Sequence, residues 1–269
     1  EAGLVKAVEE AIGMAREAGL PLHISHLKAV GEKHWPLMDE ALHLIETASM
    51  NGMDISFDVY PYITTGSVMY TLLPTWITEG GRKMMMYRLR DSQVRQAVIR
   101  DMKKEGRDYS RVLISVSQIN RMLTKRRISE IAIAQGKQPE EVVIDVLLAS
   151  DGRAIVSLEV LSEKNVDKAV THPFSVISSN GVGYPIGHKT TGDLVHPRNF
   201  GTFPKVFAEY VRRKKLLSWE EAVYKMTGKP AAQFLLTGRG VLRKGNYADV
   251  VVFRPEVIAP RATMEDPYQ

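Results

Sequence analysis

Cysteine is absent from the 269 residues, so no disulfide framework can form and nothing marks a redox compartment. Long apolar runs are missing too: no stretch of about 18 such residues is present to build a membrane-spanning helix. No signal peptide is visible, and the expectation is a cytoplasmic protein with no membrane partner. Excess charge of one sign is also lacking, since 36 Lys and Arg face 31 Asp and Glu for a net +5. The basic clusters Lys125-Arg126-Arg127 and Arg212-Arg213-Lys214-Lys215 are short and carry no interleaved aromatics. They read as solvated helix ends, and no nucleic-acid partner is expected. An initial methionine is missing as well, and the chain opens inside a helical stripe, as a fragment or a processed chain would. What is present is ordinary for a globular protein, at 44% hydrophobic and 25% charged residues. The length suffices for a real core.

The order of segments is more specific. An amphipathic helix over residues 4–18 ends at Gly19, and a short apolar strand, 22–25, follows. A second helix (37–48) and a second strand (53–60) repeat the unit. This strand–helix rhythm predicts a parallel sheet with polar residues gathered at the C-terminal strand edge. Residues 61–104 break the rhythm with a Thr-, Gly- and aromatic-rich stretch and a basic helix at 82–104, which reads as a lid-like insertion. Further strands are expected at 111–117, 154–160 and 173–178. Pro139 is placed as the first residue of a helix, Ser162 as a helix cap, and Ser218 as the start of a capping box. Residues 237–269 alternate as strands do, with a turn at Lys244-Gly245-Asn246.

Four strand-end groups can carry chemistry. His26 ends the first strand and is the leading candidate. His23, at odd spacing from it, faces the other side and reads as structural. Tyr60 and Tyr62 flank Pro61 after the second strand and offer hydroxyl donors. Asn180 sits between Ser179 and Gly181 after a later strand; an asparagine there is neither a base nor a strong metal ligand. His196-Pro197-Arg198 lies on a loop at the same edge, and Arg198 has the planar fork that clamps a carboxylate.

Taken in order, these groups resemble a known family. Ser25-His26-Leu27-Lys28 with Gly31, Asp58-x-Tyr60-Pro61-Tyr62, Ser179-Asn180-Gly181, and His196-Pro197-Arg198-x-x-Gly201-Thr202-Phe203 are similar to the motifs of D-aminoacylases (N-acyl-D-amino-acid deacylases) of the amidohydrolase superfamily. Glu221-Ala222-Val223-x-Lys225-Met226-Thr227-x-x-Pro230-Ala231 and Arg239-Gly240-x-Leu242-x-x-Gly245-x-x-Ala248-Asp249 resemble that family's C-terminal signature. The resemblance implies an α/β fold: the C-terminal half of a (β/α)8 barrel over residues 1–236, with strands of a small β-domain at 237–269. It implies zinc as cofactor and hydrolysis of the amide of N-acyl-D-amino acids. By position, His26 matches a metal-binding histidine. Tyr60 falls where a second metal histidine is expected, and it joins His196 and Arg198 as a substrate-binding candidate, Arg198 for the α-carboxylate. Asn180 stands at the family's catalytic aspartate, which takes a proton from zinc-bound water and passes it to the leaving amine. The family's opening half, with its His-x-His pair and metal-binding cysteine, has no counterpart in this sequence. The expected partner is therefore a second polypeptide supplying the N-terminal half of the barrel. Two other activities stay open at this point: a cyclic-amide or dipeptide amidohydrolase, and a binding subunit impaired in catalysis by Asn180.

Overall fold

The computed structural model describes residues 3–117 and 121–269. Its first unit is α1 (Leu4–Ala18), β1 (Leu22–Ile24), α2 (Leu37–Met50) and β2 (Ile55–Val59). Val8 and Ile12 of α1 are buried one helical turn apart, and Gly19 ends the helix in the left-handed region, where its N–H reaches back to the last turn. β1 and β2 pair in parallel, with His23 opposite Ser56 and Ile24 opposite Phe57. β2 then pairs in parallel with the distant strand β6 (Ser175–Ile177), placing Val59 opposite Ile177. Every residue of β2 is buried, as the central strand of a sheet covered on both faces must be. Tyr60 and the residues after Ile177 therefore emerge at one edge, beside the end of β1.

Between β2 and β6 lies a second body. β3 (Thr64–Val68) is followed by helices α3 (Thr75–Thr78), α4 (Gly81–Arg88) and α5 (Ser92–Glu105), then by β4 (Val112–Val116). Helices α6 (Ile128–Gln135) and α7 (Pro139–Ala149) lead on to β5 (Ile155–Glu159). The three strands form an antiparallel sheet in the order β3-β5-β4, with its own apolar core around Met69, Leu89, Ile114 and Val156. The strands expected at 111–117 and 154–160 thus belong to the insertion, not to the parallel sheet. The inserted unit extends past residue 104 to β5. Helical connections between these strands mimic the β/α rhythm, while the direction of pairing leaves no mark on a strand's own residues. The basic helix expected over 82–104 is two helices, because the Asp91 carboxylate caps α5 by accepting from Gln93 and Val94 N–H.

The chain returns to the first body through α8 (Glu163–Thr171), whose cap Ser162 accepts from Asn165 N–H. After β6 come α9 (Arg198–Lys205), a π-helical run over Val206–Arg213, α10 (Trp219–Met226) and α11 (Gly228–Gln233). Pro204 has no N–H for the ladder, and the helix widens into the π run just after it. The capping box is present, with Ser218 Oγ accepting from Glu221 N–H. Residues 237–269 form no strand among the described residues, against expectation. Val251 and Val252 are 82% and 92% exposed, and a strand without a neighbour to complete its ladder has nothing to hold it. The short basic clusters are engaged locally: Arg126 pairs with Glu130, and Lys214 with Glu163 and Asp167.

Lys225 of α10 ties the far end of the sheet together. Its buried ammonium donates to His172 O, to Ser175 O at 3.3 Å and to Ser175 Oγ at 2.8 Å. Replacing Lys225 with methionine keeps the volume but strands those acceptors, and is expected to cost about 2–4 kcal/mol in chemical denaturation.

Candidate active site

Asp58 builds the end of β1. One carboxylate oxygen accepts the backbone N–H of His26 at 2.9 Å, and the other lies 3.1 Å from His23 Nε2. His23 Nδ1 is 2.6 Å from Ser56 Oγ, so His23 is a structural link across the pair of strands. Burial works to raise the Asp58 carboxyl, but the His23 and His26 hydrogen bonds outweigh it and hold the carboxyl below its ordinary range. The anchor lets the backbone turn sharply at His26, which has φ 46°, a left-handed conformation that histidine adopts more readily than most residues. His26 is exposed, and Lys28 Nζ donates to its Nδ1 at 3.0 Å and to its carbonyl at 3.1 Å. Lys28 also lies 6.0 Å from the centre of the Tyr60 ring. The sequence reading missed its part in the site; its only signal there was the His-x-Lys spacing.

Tyr60 is the centre of the group. Its ring is buried, with the Arg198 guanidinium 4.8 Å from its centroid and the His196 ring at 6.2 Å. Its hydroxyl is buried and makes no well-formed hydrogen bond among the described residues, with the Thr65 and Arg198 side chains close enough to act on it. Burial raises its pKa, so the phenol stays neutral. Arg198 opens α9 and does not lie on a loop as expected. Its Nε and Nη1 are buried and likewise make no well-formed hydrogen bond, although the guanidinium lies close to the Tyr60 hydroxyl. Burial lowers its pKa, yet a guanidinium remains charged. Arg198 is half-buried over a neutral ring, with two guanidinium nitrogens making no well-formed hydrogen bond, so it has donors that an anion can satisfy.

His196 differs from its expected role. Its Nδ1 accepts the Arg198 backbone N–H at 3.0 Å, and Nε2 lies 2.9 Å from Thr64 O. Both nitrogens are spent on the protein, so the ring has none to offer a substrate. Burial, with the Arg198 charge adding to it, pushes His196 down to about 3. The folded state keeps this ring neutral while the unfolded chain takes up a proton below about 6.5. Its contribution is intact above that value and is lost as the pH falls toward 3. Thermal melts should show a loss of about 2 kcal/mol between pH 7 and pH 5 that the His196→Asn variant lacks.

Asn180 follows β6 with φ 44°, a turn conformation that suits asparagine, and its N–H donates to Ser178 Oγ at 3.1 Å. Ser178 N–H donates to Val59 O at 3.1 Å, which puts this loop beside Tyr60 at the same sheet edge. Glycine suits the next position, because a Cβ on Gly181 would sit 2.6 Å from Asn199 Oδ1 and push that side chain aside.

The donor set does not fit zinc within this chain. No cluster of three or more His, Cys, Asp or Glu able to hold a metal exists among the described residues. His26 offers a single imidazole, and Lys28 now donates to one of its nitrogens. An open groove of about 330 Å³ runs between α1 and the end of β1, bordered by Leu4, Val8, Ser25 and His26. No described helix is long and apolar enough to cross a membrane.

Comparison with known proteins agrees with the motifs. The chain is 33% identical over 264 residues to a D-aminoacylase of Alcaligenes xylosoxydans xylosoxydans, covering 98% of this chain and 45% of the relative. It is 32% identical to an N-acyl-D-aspartate deacylase of the same organism, covering 99% of this chain and 44% of the relative. Among solved structures it is similar to a D-aminoacylase with a binuclear metal centre, at TM-score 0.74 and 30% identity over 99% of this chain and 47% of that one. It is also similar to the zinc- and phosphonate-bound N-acyl-D-glutamate deacylase of Bordetella bronchiseptica, at TM-score 0.76 and 26% identity over 98% of this chain and 47% of that one. The chain therefore spans about half the length of the relatives it matches. The resemblance read from the strand-end motifs is borne out. The amidohydrolase family model matches residues 4–267, and the chain belongs to the amidohydrolase family.

Proposed function

We propose that this chain forms the substrate-anchoring part of a metal-dependent hydrolase that cleaves the amide of N-acyl-D-amino acids to a carboxylate and a free D-amino acid. One observation carries the reading: two buried guanidinium nitrogens of Arg198 make no well-formed hydrogen bond, and the Tyr60 side chain that they approach has a buried hydroxyl in the same state. A carboxylate satisfies such donors, and every N-acyl amino acid has one. The deacylase names of the relatives support the same substrate class. His26 is proposed as a metal-ligand histidine, zinc as the metal, and Asn180 as the residue at the catalytic aspartate position. The remaining ligands and barrel strands are proposed to come from a second polypeptide. The open groove beside α1 and the edge of β1, unpaired among the described residues, support that part.

A panel of N-acetyl-D-amino acids, hydantoins and dihydropyrimidines, assayed with both halves and zinc present, tests the activity. Turnover confined to the acyl-D-amino acids is expected; turnover of the cyclic amides alone would replace the proposal. A second reading, a binding subunit without turnover, is favoured by Asn180 alone, since an amide cannot relay a proton.

A further inference from the structure

His196 takes its place in the site from what it touches. A backbone N–H only donates, so the contact from Arg198 makes His196 Nδ1 an acceptor; a carbonyl only accepts, so Thr64 O requires the proton on Nε2. One neutral tautomer satisfies both, and a second ring proton would face the Arg198 N–H. Thr64 opens β3, the first strand of the insertion, and Arg198 opens α9 on the first body. The imidazole is therefore a rigid strut between the two bodies, wedged edge-on against the Tyr62 ring at 5.2 Å. Its own carbonyl accepts from Asn199 N–H at 3.1 Å and from Asn199 Nδ2 at 2.6 Å. Asn199 Oδ1 in turn accepts from Val182 N–H at 2.6 Å, two residues beyond Asn180. A neighbouring backbone bond, Leu194 N–H to Ser115 O at 2.8 Å, ties the same loop to the end of β4.

We propose that His196 is a positioning residue that transmits the location of the inserted sheet to the Arg198 anchor and, through Asn199, to the Asn180 loop. A shift of β3 then moves the carboxylate anchor and the Asn180 backbone together, so the insertion governs how tightly the substrate carboxylate is held. This rests on the reading of Arg198 as that anchor.

Two variants separate the arms of the strut. His196→Asn keeps an acceptor near Arg198 N–H but is too short to reach Thr64. His196→Gln reaches Thr64 with its amide but withdraws the acceptor from Arg198. Amide hydrogen exchange on the full chain reads the geometry, and titration with N-acetyl-D-alanine reads the anchor. Loss of one such hydrogen bond is expected to raise local exchange about tenfold. In the asparagine variant the rise falls in β3 and spares the Arg198 amide; in the glutamine variant it falls at Arg198 and spares β3. Both variants are expected to bind the ligand about tenfold more weakly at temperatures where they remain folded. A merely structural histidine predicts lower melting temperatures with unchanged affinity and evenly raised exchange, and that result overturns the proposal. Wild-type chain that binds no N-acetyl-D-alanine defeats the reading of Arg198, while the two exchange patterns still decide whether the strut exists.

Discussion

Replacing Arg198 with alanine is expected to weaken the binding of an N-acyl-D-amino acid by about two to three orders of magnitude without lowering the melting temperature of the free protein. The two effects part because of where the guanidinium sits. In the free chain its Nε and Nη1 are buried without a well-formed hydrogen bond, a state that costs stability. The Tyr60 side chain, with its ring 4.8 Å away and its hydroxyl close by, offsets part of that cost, and such ring contacts contribute about 1–2 kcal/mol. With a substrate carboxylate bound as proposed, two charge-assisted hydrogen bonds form, together worth about 3–4 kcal/mol. Alanine removes them, and lysine restores the charge but not the planar fork, so Arg198→Lys should recover a small part of the affinity. Calorimetric titration and thermal melts of the same samples check both halves of the expectation. Unchanged affinity in the alanine variant would remove the carboxylate anchor from the account.

Asn180→Asp is the second large expectation, a gain rather than a loss. With the complementary half and zinc supplied, the aspartate variant should hydrolyse N-acetyl-D-amino acids about 10² to 10⁴ times faster than the chain with asparagine. Asparagine and aspartate are nearly isosteric, and both tolerate the left-handed backbone that Asn180 adopts at φ 44°. The exchange should therefore leave the loop, and its neighbour Gly181 against Asn199, in place. The carboxylate can accept a proton from the attacking water and return it to the leaving amine, which the amide cannot do. Absence of turnover in this variant, with binding intact, would make the protein a binding subunit.

Much of this site was legible in the sequence because its residues sit where the chain's own rhythm places them. The turn signals after β1, β2 and β6 put His26, Tyr60 and Asn180 at one edge, and the parallel register joins those strand ends. Helix starts were legible for the same local reason, as at Ser162 and Ser218, whose hydroxyls cap their own helices. Features that depend on a distant partner were not. β3 is built from Thr64, Thr65, Gly66, Ser67 and Val68, a composition that reads as loop until β5 pairs with it. The alternation near Val250 has the pattern of a strand and, among the described residues, no neighbour to become one. His196 looked like a group facing substrate because its two partners, a backbone N–H and a backbone carbonyl, leave no trace in residue identity.

This chain is proposed to anchor the substrate and to lend His26 to a metal centre whose other ligands come from elsewhere. Zinc content by mass spectrometry, measured on the isolated chain and on the chain assembled with its complementary half, tests that proposal directly. The expected result is well under one zinc per isolated chain, at least one per assembly, and a loss of metal from the assembly on His26→Ala. One tightly held zinc per isolated chain, unaffected by that substitution, would contradict it.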